Sequence, residues 1–175
     1  GEGNSVFGDG AILGGNTGST DTGLAAQYNV NYNNTELVLN ALVQGNSSLT
    51  HAGTGTLILD QANTATGALG ITNAGAVVQL GTEDKAGQWA GTVLNGAGTL
   101  KIVNGALTSA MTRAEGATAA IVVDSAASVN LGETDGSMLK GITLAAGGRL
   151  ANVSGDITVG AGATETLNLT LGADN

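Results

Sequence analysis

Few residues in this chain can do chemistry, and they stand far apart. His51 is the only histidine. It sits between Thr50 and Ala52, with no serine or cysteine at a suggestive spacing. A general base needs a second group to act on or be oriented by, and a zinc site needs more than one nitrogen ligand. His51 therefore reads as a polar residue at a surface edge. Cysteine is absent, which removes disulfides and thiolate metal sites together. The carboxylates are the remaining candidates: Glu83 with Asp84, and Glu133 with Asp135. If the chain stacks in coils about 4.8 Å apart, these pairs could meet on one rim and hold Ca²⁺ or act as a sugar-cleaving pair. Such an enzyme would also need a base, and Lys140 and Arg149 are the nearby ones. Solvated loop charge is the plainer reading. No Gly-Gly-x-Gly-x-Asp tandem occurs, so a calcium-binding nonapeptide array is excluded. The expectation is a protein without catalytic, metal-ligating or cofactor-binding residues, and not an enzyme.

Other signals are weaker still. Gly-x-Gly steps precede strands instead of opening helices, so a phosphate-cradling loop is rejected. Sequons at Asn33, Asn46, Asn152 and Asn168 arise freely in Asn- and Thr-rich strands. An ice-binding face would need Thr-x-Thr on every coil, a pattern the chain does not keep. The net charge is −9, and the basic residues Lys85, Lys101, Arg113, Lys140 and Arg149 are scattered. Phosphate binding needs clustered Lys and Arg, so a nucleic-acid partner is excluded. No run approaches the roughly 20 apolar residues of a membrane-spanning helix, and no direct membrane insertion is expected.

Whatever these residues do, short strands must position them. Apolar residues make up 42% of the chain and aromatics 2%, so the interior must be built from Ala, Val, Leu and Ile. Small aliphatic side chains fill a narrow lumen well. There are 30 glycines and no proline. Glycine supplies positive φ at corners, and the lack of proline leaves every N–H available to a ladder. Gln27 to Tyr32 alternates, with Tyr28, Val30 and Tyr32 on one face. Further strands are predicted at Glu36–Asn40, Ala41–Val43, Thr56–Leu59, Leu69–Thr72, Ala76–Leu80, Thr92–Leu94 and Thr99–Val103. Beyond them come Ala119–Val123, Ser128–Leu131, Ile142–Ala145, Arg149–Val153, Ile157–Val159 and Leu167–Leu171. Ser109 to Ala120 lacks a sustained helical period and reads as a loop or a single turn.

Repetition selects the architecture. Gly53-Thr54-Gly55-Thr56-Leu57 returns as Gly96-Ala97-Gly98-Thr99-Leu100, an interval of 43 residues that fits two coils of 21–22. A competing alignment pairs Val43 to Leu49 with Leu94 to Leu100 at an interval of 51. Both cannot set one register. The fold class expected is all-β, a right-handed parallel β-helix, with residues 1–30 an irregular N-terminal edge or cap and 31–175 a helix segment of a longer protein.

The phrase from Gly53 to Gly81 resembles the autotransporter-associated β-strand repeat of bacterial surface proteins, also called the passenger-associated transport repeat. Gly53, Gly55, Thr56, Leu57, Leu59, Asn63, Thr64, Thr66, Gly67, Ile71, Gly75, Leu80 and Gly81 fit its order. Val43, Gly45, Leu49 and His51 fit the preceding family phrase. Ala65 stands where the repeat prefers Tyr, His51 where it prefers Lys, and Val77-Val78 replace the second Thr-Leu. The resemblance covers about forty residues. It implies a passenger segment exported through the outer membrane by a C-terminal barrel outside this chain, displayed at the bacterial cell surface or released. It implies a stalk that presents binding regions, with a host glycan or matrix protein as partner. Separately, unpaired ladder edges at the cut ends of a stacked fragment lead to an expectation of edge-to-edge self-association. Trp89, beside Gln88, suggests sugar stacking on its own. Within the family an aromatic residue often precedes a phrase like Gly91-Thr92-Val93, which implies a structural plug at a corner.

Overall fold

Along most strands between residues 27 and 123 inward and outward side chains alternate, and inward side chains lie on their counterparts one coil below. The computed structural model describes residues 26–107, 109 and 111–123, with short strands at 12–13, 128–130, 142–144, 149–151 and 170–171. In chain order the strands are β1 Ile12–Leu13, β2 Gln27–Val30, β3 Glu36–Leu39, β4 Leu42–Val43, β5 Ser48–His51 and β6 Thr56–Leu59. They continue with β7 Leu69–Ile71, β8 Val77–Leu80, β9 Gly87–Trp89, β10 Val93–Gly96, β11 Thr99–Ile102 and β12 Gly105–Leu107. The last are β13 Thr112–Arg113, β14 Ala120–Val123, β15 Ser128–Asn130, β16 Ile142–Leu144, β17 Arg149–Ala151 and β18 Thr170–Leu171.

All pairings between these strands are parallel, and neighbours in space are one coil apart in sequence. The first sheet runs β2-β5-β7-β10-β13, and the second β3-β6-β8-β11-β14-β16-β18. A third face is made by β4, residues 62–66, β9 and β12, joined through the Ala62–Gln88 bridge, the Thr64 N–H bond to the Val43 carbonyl, and the β9–β12 ladder. The protein is a parallel β-solenoid. β2, within the segment 1–30, is already a rung of it.

The register settles the competing repeats. Thr56 lies beside Val77, and Val77 beside Thr99, steps of 21 and 22 residues. The 43-residue interval is therefore two coils. The 51-residue alignment is overturned: Leu94 stacks on Leu69, and Leu69 on Leu49, so its partner two coils below is Leu49 and not Val43. Val43 belongs to the third face.

Two inward rows of the second sheet run through the core. One is Leu57, Val78, Leu100 and Ile121; the other is Leu59, Leu80, Ile102 and Val123, all fully buried. Each such side chain contributes roughly 1.5–3 kcal/mol of burial. Outward positions on the same strands, such as Gln79 and Lys101, are part-exposed. That alternation is why the Leu/Val-rich segments form strands while Gly and Asn occupy the corners between them.

Five strands were not legible beforehand: β1, β5, β9, β12 and β13. None is longer than four residues, and β9 and β12 begin on glycine. The loop reading of Ser109 to Ala120 is corrected, since Thr112–Arg113 pairs with Val93–Leu94 as a rung of the first sheet. The strand expected at Ile157–Val159 lies outside the described residues.

Candidate functional site

Two steps along the main sheets break the usual rhythm of 19–22 residues. One is Thr143 to Thr170, 27 residues, most of whose connection lies outside the described residues; the other is Leu69 to Leu94, which is 25. The excess of this second step falls between β8 and β9, where residues 81–86 replace the two-residue connection that joins β11 to β12. Gly81 opens this loop at φ +76, and its missing side chain leaves room for the Asn104 carbonyl of the next coil. A larger residue would collide there as well as strain the backbone. The loop is closed by Thr82, whose N–H donates to the Lys85 carbonyl at 2.8 Å and whose Oγ1 accepts from the Lys85 N–H at 3.1 Å.

Lys85 then reaches down one coil. Its Nζ lies 3.2 Å from Asp60 Oδ2, while Gln61 Nε2 donates to Asp60 Oδ1 at 3.1 Å. The Asp60 side chain is 4% exposed and that of Lys85 59%. A buried carboxylate is retained only when its oxygens are satisfied, so the inserted loop serves as a clasp over Asp60. Glu83 and Asp84 are exposed at its tip. Glu133, Asp135 and Lys140 lie outside the described residues, and of Arg149 only the strand position is described.

His51 is not at the surface. It is fully buried, and this corrects the sequence reading. In β5 the inward positions are Leu49 and His51, so parity drives the imidazole into the lumen between Val30 and Ile71. Its Nε2 lies 2.8 Å from the Gly55 carbonyl and its Nδ1 3.2 Å from the Val30 carbonyl. A neutral ring donates to one of these oxygens and an imidazolium to both. With both ring nitrogens turned to backbone, the residue works as a corner brace.

Trp89 is also fully buried, and its indole Nε1 donates to the Gly67 carbonyl at 3.2 Å. It is the corner plug, with no ring face open to a sugar. Asn63, a fit to the repeat, is buried too: its Oδ1 accepts the Val43 N–H at 2.8 Å and its Nδ2 donates to the Gln61 carbonyl at 3.2 Å. It gives the N–H of Val43, in β4, a side-chain partner. Arg113 occupies an inward position above Leu94. Its Nε donates to the Ala119 carbonyl at 2.7 Å, and burial holds its pKa below the usual arginine value.

Asp60 and Arg113 escaped the sequence reading. Parity would have flagged Arg113 once β13 was seen, whereas the burial of Asp60 depends on a loop contributed by the next coil. The outer face of the first sheet carries Gln27, Asn29, Thr50, Asn95 and Thr112 and no charged residue among its described strands. Among the described residues no group of His, Cys, Asp and Glu is placed to hold a metal ion, and no helix is long and apolar enough to cross a membrane. Among the described residues the geometry offers a parallel stack, a six-residue loop over Asp60, and an outer face of the first sheet without charge on its strands. No protein-family model, curated protein or solved structure matches this chain.

Proposed function

We propose that this chain is a structural and adhesive segment of a secreted or surface-displayed bacterial protein of the autotransporter type, a stiff stalk that presents binding regions. The observation that carries the reading is the continuous parallel ladder of the second sheet, which runs from β3 to β18. In such a stack each coil satisfies the edge of the one beneath it, and bending would break ladder bonds on every face. Stiffness along the stacking axis is what a spacer requires. The order of residues from Gly53 to Gly81 supports the export route, with an outer-membrane barrel encoded outside this sequence.

The presenting surfaces are the loop at 81–86 and the neutral face of the first sheet, and the partner class is a host glycan or matrix protein. Open ladder edges, wherever the stack ends, would favour association between copies. Small-angle scattering tests the stalk directly: a rod of constant cross-section, about 4.8 Å longer per coil, is expected. An isometric particle would overturn it. Sedimentation at rising concentration tests the edges, where a strict monomer would count against self-association. Labelling of intact source cells by an antibody to the loop tests display.

A further inference from the structure

The chain contains two Asn-Gly steps, Asn95-Gly96 and Asn104-Gly105. In sequence they are equivalent candidates for the same reaction, in which the backbone nitrogen after an asparagine attacks the side-chain amide. Glycine favours it because no Cβ crowds the attack. Three further conditions are structural: the attacking N–H must be turned to the side chain and not to a neighbouring strand, the side chain must be folded against it, and water must reach the site.

Asn95 meets all three. The Gly96 N–H donates to the Asn95 side-chain Oδ1 at 2.8 Å, so the nitrogen is already held against the amide it would attack. Asn95 is exposed at the end of β10, and the residue beside it on β7 is Gly70, which has no side chain to pin it. Gly96 sits at φ +92 with its missing Cβ facing the Ile71 carbonyl, so the step cannot be protected by a larger residue. Asn104 differs. It is half-buried, and its Nδ2 is drawn toward the Glu83 carbonyl at 3.5 Å, into the inserted loop. Its own N–H donates to the Leu80 carbonyl and its carbonyl accepts the Gly87 N–H.

We propose that Asn95 is a site of spontaneous succinimide formation and deamidation in the folded solenoid. The Gly96 nitrogen gives its proton to hydroxide and forms a bond to Asn95 Cγ. The Asn95 amide nitrogen leaves as ammonia, taking up a proton from water. A water molecule then opens the imide: breaking the Cγ–N bond gives aspartate, and breaking the bond to the main-chain carbonyl gives isoaspartate. Nothing is oxidised or reduced, and the balance is one water in and one ammonia out.

Both products alter this face. Aspartate places a negative charge on a sheet surface that otherwise has none. Isoaspartate lengthens the backbone by one methylene where Asn95 and Gly96 pair with Gly70 and Ile71, and where the Gly96 carbonyl holds the Thr118 N–H at 2.9 Å. The coil above would lose its footing at that corner.

The test ages the intact chain at mildly alkaline pH, at a temperature where circular dichroism shows the fold retained. Peptide mapping by mass spectrometry follows each asparagine, and isoaspartyl methyltransferase labelling identifies the rearranged product. Conversion at Asn95 several-fold faster than at Asn104 is expected, with methyl-accepting product confined to the Asn95 peptide and abolished in Asn95→Gln. Increased proteolysis next to Gly96 should accompany it. Conversion at Asn104 as fast as at Asn95 would overturn the proposal. So would an unchanged Asn95 over a period in which the free peptide spanning residues 94–100 converts.

Discussion

Replacing Trp89 by alanine should unfold this protein more readily than any conservative core change. The indole is fully buried and donates to the Gly67 carbonyl at 3.2 Å. An aromatic side chain of this size removes roughly 150–250 Å² from water, which at about 25 cal/mol per Å² is about 4–6 kcal/mol. That figure is an upper bound, because unfolded chains already shelter some apolar surface. Alanine retains part of the burial and leaves a cavity, so the expected cost is about 3–5 kcal/mol. Trp89→Phe separates the two contributions: it keeps most of the apolar area, gives up the N–H donor, and should cost about 1–2 kcal/mol. Urea titration followed by far-ultraviolet circular dichroism reads both variants. Dichroism is needed because Trp89 is the only tryptophan and fluorescence disappears with it. In the parent chain the same residue should emit at short wavelength and resist acrylamide quenching. A cost below about 1 kcal/mol for Trp89→Ala would refute the reasoning, because no fully enclosed indole is that cheap to remove.

Further variants probe the corners. Gly81→Ala should cost about 2 kcal/mol or more, since the backbone is at φ +76 and the Asn104 carbonyl fills the space. Gly75→Ala, with nothing within 4 Å, should be neutral or stabilising by about 0.4–1 kcal/mol; equal effects in a thermal melt would contradict the coil geometry. His51→Leu should change stability by no more than about 1 kcal/mol. The reason is that both carbonyls beside the ring keep backbone donors: Ala52 N–H for Val30 at 2.7 Å and Val77 N–H for Gly55 at 3.2 Å. His51→Ala leaves a hole and should cost about 2–4 kcal/mol, a contrast that urea midpoints would reveal. Lys85→Met strips Asp60 of its cation and should cost about 1–2 kcal/mol, partly recovered in the Asp60→Asn/Lys85→Met double variant. A fully additive pair of losses would show that the clasp contributes nothing.

How much of this was legible in the residues depends on distance along the chain. The solenoid could be read because Leu57 and Leu100 share one inward row, two coils apart, and the phrase around each is nearly the same. The coil between them was concealed, since Val77-Val78 stands there without the Thr-Leu wording. The false 51-residue register arose because Gly-x-x-x-Leu phrases lead into more than one sheet, ending at Leu49 in the first and at Leu100 in the second. Trp89 could be read as a plug only through the resemblance, because an aromatic residue often precedes the phrase that Gly91-Thr92-Val93 matches; on its own the residue suggested sugar stacking. His51 could not, because Ser48-Leu49-Thr50-His51 holds a single aliphatic residue and shows no alternation until its neighbours above and below are known. The Asp60–Lys85 clasp is a contact between coils across an insertion, and nothing local to Asp60 announces it.

The central claim is the stacking register, and the absence of cysteine makes it directly measurable. Val77 and Thr99 are register partners on the part-exposed side of adjacent strands. Their Cα atoms at a strand spacing of about 4.8 Å lie within the reach of a disulfide, roughly 4.4–6.8 Å. The double variant Val77→Cys/Thr99→Cys should cross-link quickly on mild oxidation, and Val77→Cys/Lys101→Cys, displaced by one outward position, far more slowly. Equal rates for the two pairs, or no cross-link in the first, would mean that these coils do not lie on one another as described.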